Sequence, residues 1–83
     1  MQQDIDTLAR FADIVAGVAQ VDRAAVTPDA RLRGDLGLDS LAMIDVAVAA
    51  EDAFDVRVPD EDVERFETVG DAVGFIQQAR VAA

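Results

Sequence analysis

The chain has no cysteine, histidine, lysine, tryptophan or tyrosine. Without cysteine there is neither a disulfide framework nor a thiolate metal site. Without histidine the commonest general base and the commonest zinc ligand are missing. A Ser-His-Asp triad, a Cys-His dyad and a Schiff-base lysine are therefore excluded by composition alone, and catalysis by the chain's own side chains is not expected. Long apolar runs are also absent, so no segment is expected to span a membrane. The first residues, Met1-Gln2-Gln3-Asp4, lack the apolar centre of a signal peptide, which makes the cytoplasm the expected compartment. Basic charge is scarce: seven arginines stand against seventeen acids, a net charge of −10. A nucleic-acid ligand needs cations that displace its counterions, and an anionic membrane surface repels such a chain, so neither partner is expected. A basic protein patch is the complementary surface.

What remains is a chain of 83 residues with 52% hydrophobic content. That is enough for one small domain over residues 1–83 and too apolar for a disordered acidic tail. Of the hydrophobic residues, 16 are alanine and 12 are valine, so the core is built from small side chains. Residues 4–19 read as an amphipathic helix, with Ile5, Leu8, Phe11, Ala12, Val15, Val18 and Ala19 at steps of three and four. From Val21 to Gly37 the periodicity fades. Thr27-Pro28-Asp29 is a turn signal, and Val26, Ala30, Leu32 and Leu36 are expected to peg a long loop to the core, with at most one short helical turn. Asp39 is a good N-cap for a helix over Ser40 to Phe54. Asp60 is expected to cap a short helix running to about Arg65. Thr68 with Asp71 approximates a capping box for a last helix from Val69 to about Ala79. The fold class is all-α: a small four-helix bundle with a long first loop and a short third helix.

Charge is concentrated. Residues 1–34 carry −1, residues 35–71 carry −10, and residues 72–83 carry +1. Such a block is either a solvated surface or a docking surface; self-repulsion within one segment favours the second. At about 100° per residue the Ser40–Phe54 helix has two apolar faces. Met43, Val46, Ala47, Ala50 and Phe54 form one without acids, the expected core face. Leu41, Ile44 and Val48 form the other, bordered by Asp45 and Asp52. That second face is either buried in the bundle or an exposed stripe suited to a groove lined with basic residues.

Asp35-Leu36-Gly37-Leu38-Asp39-Ser40-Leu41 lies where the loop meets this helix. With Asp39 as cap, the Ser40 hydroxyl is left free at a helix start, where unpaired N–H groups favour phosphate. With no histidine or lysine to activate it, Ser40 is a poor nucleophile and a better substrate for another enzyme. Here the chain resembles the acyl carrier proteins over nearly its whole length. The stretch from Asp35 to Leu41 looks like the family's phosphopantetheine attachment motif. Glu51-Asp52-Ala53-Phe54-Asp55-Val56-Arg57-Val58-Pro59-Asp60-Glu61 is similar to its second-helix end and following loop. Thr68-Val69 matches the start of its last helix, and no gaps are needed between these blocks.

The resemblance implies that Ser40 receives 4′-phosphopantetheine from coenzyme A through a Mg²⁺-dependent phosphopantetheinyl transferase, with Asp39 as the adjacent acid. The arm's thiol then carries acyl groups as thioesters for fatty-acid, polyketide or related lipid biosynthesis. The protein is a carrier and not an enzyme. Leu41, Ile44, Asp45, Val48, Glu51 and Asp52 fall where relatives meet acyl-transfer and condensing enzymes with basic patches, and the chain is expected to act as a monomer. An aminoacyl carrier, or an unmodified helical adaptor of the same fold, is the alternative.

Departures from the family pattern also stand out. Ala42 and Ala53 replace acids common in fatty-acid carriers. Ala47 and Ala50 replace larger aliphatics, and Phe66 replaces an aliphatic. Either the acyl pocket is reshaped, or Phe11 and Phe66 take up the volume. Asp60-Glu61-Asp62-Val63-Glu64 lacks EF-hand spacing, so no dedicated metal site is expected.

Overall fold

The computed structural model describes residues 2–82, and the side chains of residues 6–80. Four helices follow one another: α1 (Gln2–Ala19), α2 (Ser40–Phe54), α3 (Asp60–Val63) and α4 (Val69–Ala82). A single 3₁₀ turn, Arg23–Ala25, interrupts the connection between α1 and α2. Among the described residues there is no strand, only an isolated bridge between Arg31 and Thr68. Among the described residues, no helix is long and apolar enough to cross a membrane.

The helices form where periodicity and caps agree. α1 buries Phe11, Ala12 and Val15, and half-buries Leu8, Val18 and Ala19. Ile5, assigned to the same face by its spacing, has a side chain that lies outside the described residues. α2 begins at the residue its cap dictates: the Asp39 carboxylate accepts the Ala42 N–H at 2.8 Å. It ends at Asp55, which turns into the left-handed region at φ 56° and returns its N–H to the Glu51 carbonyl. Its buried residues are Met43, Val46, Ala47, Ala50 and Phe54, the acid-free face. Fully burying each of the larger ones contributes about 1.5–3 kcal/mol. α4 is opened by a reciprocal box: Thr68 Oγ1 accepts the Asp71 N–H, and Asp71 Oδ2 accepts the Thr68 N–H. It runs three residues beyond the expected end at Ala79.

α3 departs from expectation in two respects. Asp60 is not its cap: Pro59 stands there, without a side-chain bond, and Asp60, Glu61 and Asp62 fill the first turn. The Pro59 carbonyl accepts from Asp62 and Val63, which starts the helix through the backbone alone. The helix also stops at Val63 and not near Arg65. Beyond it Arg65 and Phe66 donate to Asp62 and Val63, three residues back, so the chain tightens out of α-geometry.

The connection from α1 to α2 is pinned along its length. Val26, Ala30, Leu32, Leu36 and Leu38 are buried. Its backbone is stitched to the start of α4: Leu32 N–H to Glu67 O at 2.8 Å, Val69 N–H to Ala30 O and Gly70 N–H to Pro28 O, both at 2.9 Å. Gly37 supplies φ +72°, a left-handed turn that glycine adopts without cost, just before α2 begins. At the C-terminal end of α2, the Arg10 and Arg80 guanidinium groups lie over the Phe54 ring, 4.7 and 5.6 Å from its centroid. Arg80 also donates to buried Thr7 Oγ1 at 3.1 Å, tying α4 to α1.

Candidate functional site: the start of α2 and its outer face

The loop and the Asp39 cap deliver Ser40 to the first position of α2, exposed to solvent. The capping bond belongs to Asp39, so the Ser40 Oγ takes no hydrogen bond among the described residues. The N–H groups of Ser40 and Leu41 precede the first intrahelical bonds and also have no partner there, while Met43 N–H returns to Asp39 O. No acid lies in the first turn of α2. An exposed hydroxyl beside open N–H groups is sterically and electrostatically suited to carry a phosphate. A cleft opens beside Ser40. Its α2 wall is Ser40, Met43 and Ile44, and its far wall is Asp60, Val63 and Glu64 around α3. Arg33 closes its loop side.

The outer face of α2 is an exposed apolar stripe: Leu41, Ile44 and Val48 are 70%, 43% and 58% exposed. These fractions decide between the two readings of that face, since burial in the bundle would bring all three close to zero. Asp45 and Asp52 are exposed beside the stripe and, with Val48 and Glu51, line a shallow depression. Glu51 differs from the other acids. It is half-buried, and its Oε2 accepts the Val58 N–H at 2.7 Å, so it also holds the turn between α2 and α3.

Behind the site, the core encloses a void of about 20 Å³ between α2 and the α3 region, with Phe11, Met43, Ala47, Ala50 and Phe66 among its walls. That holds one water-sized sphere. Both phenylalanines stand beside the small alanines in that lining. Phe66 is itself fixed edge-on against Phe75, ring centroids 5.6 Å apart.

Sequence reasoning passed over Arg33. The available signal was a cation seven residues before the serine, the second of the pair Arg31 and Arg33, at the border of the acidic block.

Fold and site together define a class: small acidic helical bundles that present an unencumbered serine at a helix start and have no histidine, cysteine or lysine to activate it. Comparison with known proteins gives the class its content. The family described as "Phosphopantetheine attachment site" matches residues 9–76. The chain is 44% identical over 78 residues to the acyl carrier protein of Acidothermus cellulolyticus, covering 94% of this chain and 93% of that protein. It is 42% identical over 77 residues to the meromycolate extension acyl carrier protein of Mycolicibacterium aurum, covering 93% and 77%. It is 40% identical over 73 residues to the acyl carrier protein of Syntrophobacter fumaroxidans, covering 88% and 90%. The chain belongs to the acyl carrier proteins, whose function is to carry acyl groups on phosphopantetheine.

Proposed function

We propose that Ser40 is the attachment residue and that the outer face of α2 is the surface by which partner enzymes read the carrier. The observation that carries the first part is the division of labour at the helix start, where Asp39 does the capping and leaves the Ser40 hydroxyl unengaged. In the transfer, Ser40 Oγ forms a bond to the phosphorus nearest the pantetheine of coenzyme A. The phosphoanhydride bond breaks, adenosine 3′,5′-bisphosphate leaves, and the hydroxyl proton is lost. The chain has no base for this, so a separate Mg²⁺-dependent phosphopantetheinyl transferase performs it. When bound, the arm supplies the thiol on which acyl groups are held. The chain's own residues would position it: Asp39 holds the helix start, and the open Ser40 and Leu41 N–H groups would be the donors available to its phosphate.

Residues 1–83 act as one carrier unit, a cytoplasmic monomer that is a substrate of its partners and not a catalyst. Those partners are acyl-transfer and condensing enzymes with basic patches around an apolar groove. Leu41, Ile44 and Val48 supply the apolar contact and Asp45 and Asp52 the charge, with Glu51 contributing from its anchored position. The cargo belongs to lipid biosynthesis, a reading supported by the relatives named for meromycolate extension. The void of about 20 Å³ admits an acyl chain only if the walls of α2 and α3 part.

Intact mass after incubation with coenzyme A, Mg²⁺ and a broad-specificity transferase tests the attachment. One phosphopantetheine is gained by the wild type and none by Ser40→Ala. An unmodified wild type of unchanged fold sinks this reading in favour of a helical adaptor. For the docking face, each exposed ion pair is worth roughly 0.2–1 kcal/mol, so Asp45→Asn with Asp52→Asn slows transfer to a partner by about two- to thirtyfold at low salt. Because exposed charges are screened, the deficit shrinks as salt rises.

A further inference from the structure

Arg33 is the cation of the cleft that contains Ser40. The loop's other arginine near this point, Arg31, is paired with Asp35, whose carboxylate also accepts the Arg31 N–H. Arg33 takes part in none of the ion pairs among the described residues, although Asp60 and Glu64 line the opposite wall. Its backbone is held in place. Leu32, next to it, is 1% exposed and bonded to Glu67, and the Arg33 carbonyl accepts the Gly37 N–H at 3.2 Å. A free guanidinium thus projects from a fixed point of the loop into a cleft whose other charges are acids. The segment from residue 35 to 71 contains two further arginines, Arg57 and Arg65, and neither lines the cleft.

A phosphodiester on Ser40 brings a permanent negative charge into this cleft. Asp60 and Glu64 repel it from the α3 side, and the acid-free first turn of α2 receives it. Guanidinium is the side-chain cation best matched to phosphate, through two parallel N–H bonds. We infer, on the reading that Ser40 bears the arm, that Arg33 is a positioning residue for it: its guanidinium binds the phosphodiester and roots the arm in the cleft between α2 and α3. An arm held there would lie in the cleft lined by Met43 and Val63, and Leu41 and Val48, which do not line it, would stay uncovered for a partner enzyme. Arg33 also offsets the repulsion between the phosphate and the two acids of the far wall.

The test uses the full chain with and without the arm, and reads resonances and not transfer activity. In the wild type, modification shifts the Arg33 Nε–Hε cross-peak and leaves that of Arg31 in place. In Arg33→Gln the phosphodiester ³¹P line moves from its wild-type position and relaxation of the arm's amides shows faster motion. Arg33→Lys, which keeps the charge but not the fork, recovers part of both changes, and Arg31→Gln reproduces neither. Because Arg33 is exposed, the backbone spectrum of each unmodified variant stays wild-type outside its immediate neighbours. An unmoved Arg33 cross-peak, with coincident ³¹P lines in wild type and Arg33→Gln, overturns the inference while leaving attachment intact. Failure of the wild type to gain the arm's mass overturns the attachment reading, and this inference with it.

Discussion

The connection between α1 and α2 and the helix α3 are opposites in a way that secondary structure conceals. The connection is irregular apart from one 3₁₀ turn, yet five of its apolar side chains are buried and three backbone bonds join it to the start of α4. α3 is regular, yet it has four residues, no side-chain cap and one buried side chain, Val63. Rigidity follows from what a segment is bonded to and not from whether its dihedrals repeat. The cleft at Ser40 meets both regions, the connection at Arg33 on its loop side and α3 as its far wall, so one of these sides is fixed and the other is poised to move.

The largest effect tests the fixed wall. Leu32→Ala removes a buried peg next to the Glu67 bond and costs about 2–5 kcal/mol. The urea midpoint falls steeply, and loop and helices are lost in one transition. If the loop instead loosens alone, it is not integral to the fold and differs little from α3. Val63→Ala tests the other wall. Two buried methyl groups are worth about 1.5 kcal/mol, and the loss is expected to be local. Amide exchange at Glu64 and Phe66 speeds up well before that at Leu32 or Val69. A uniform increase throughout the chain would make α3 as integral as the loop.

Smaller effects sharpen the same contrast. Gly37→Ala forces a side chain into the left-handed region and costs about 1 kcal/mol in global stability, although nothing lies within 4 Å of the new methyl group. Thr68→Ala removes half of the box at which loop and α4 meet, at about 1 kcal/mol. The other half is pH-dependent. The N–H groups of Glu67 and Thr68 hold the Asp71 carboxyl below its ordinary value of 3.8, a little burial opposing them. The folded value is the depressed one, so the stabilisation is complete above the ordinary carboxylate range and is lost as pH falls through the folded value. Urea unfolding of wild type and Asp71→Ala therefore differs at neutral pH and converges in acid; a gap that persists in acid would assign the effect to helix propensity.

Much of this was legible because it is local. Asp39 and the Thr68–Asp71 box set helix starts by bonds spanning three residues, and the two faces of α2 follow from a fixed angle per residue. The pegs Val26, Ala30, Leu32 and Leu36 are apolar residues in a polar stretch, which is signal enough. What was not legible joins distant positions. The ladder from Pro28, Ala30 and Leu32 to residues 67–70 is made by backbone groups that every residue possesses. The Arg10–Phe54–Arg80 stack and the Arg80–Thr7 bond link residues tens of positions apart, and no local pattern announces them. α3 was misjudged because Asp60 is a good capping residue in isolation, while Pro59 fixes the dihedral that starts the helix one residue earlier. At the site, exposure of Leu41, Ile44 and Val48 needed coordinates, since a two-faced apolar helix fits both arrangements. The anchored state of Glu51 needed them as well.

The capping bond at Asp39 has a consequence for the carrier's working cycle. A group joined to Ser40 displaces no hydrogen bond that the folded chain relies on. If Ser40 bears the arm as proposed, loading breaks none of the bonds that hold the helix start, so bare and loaded chains are expected to share one fold, with the Arg33 contact as the added interaction. On that reading the polypeptide behaves as a reusable handle: the arm can be attached at Ser40 and removed again with the helix start intact.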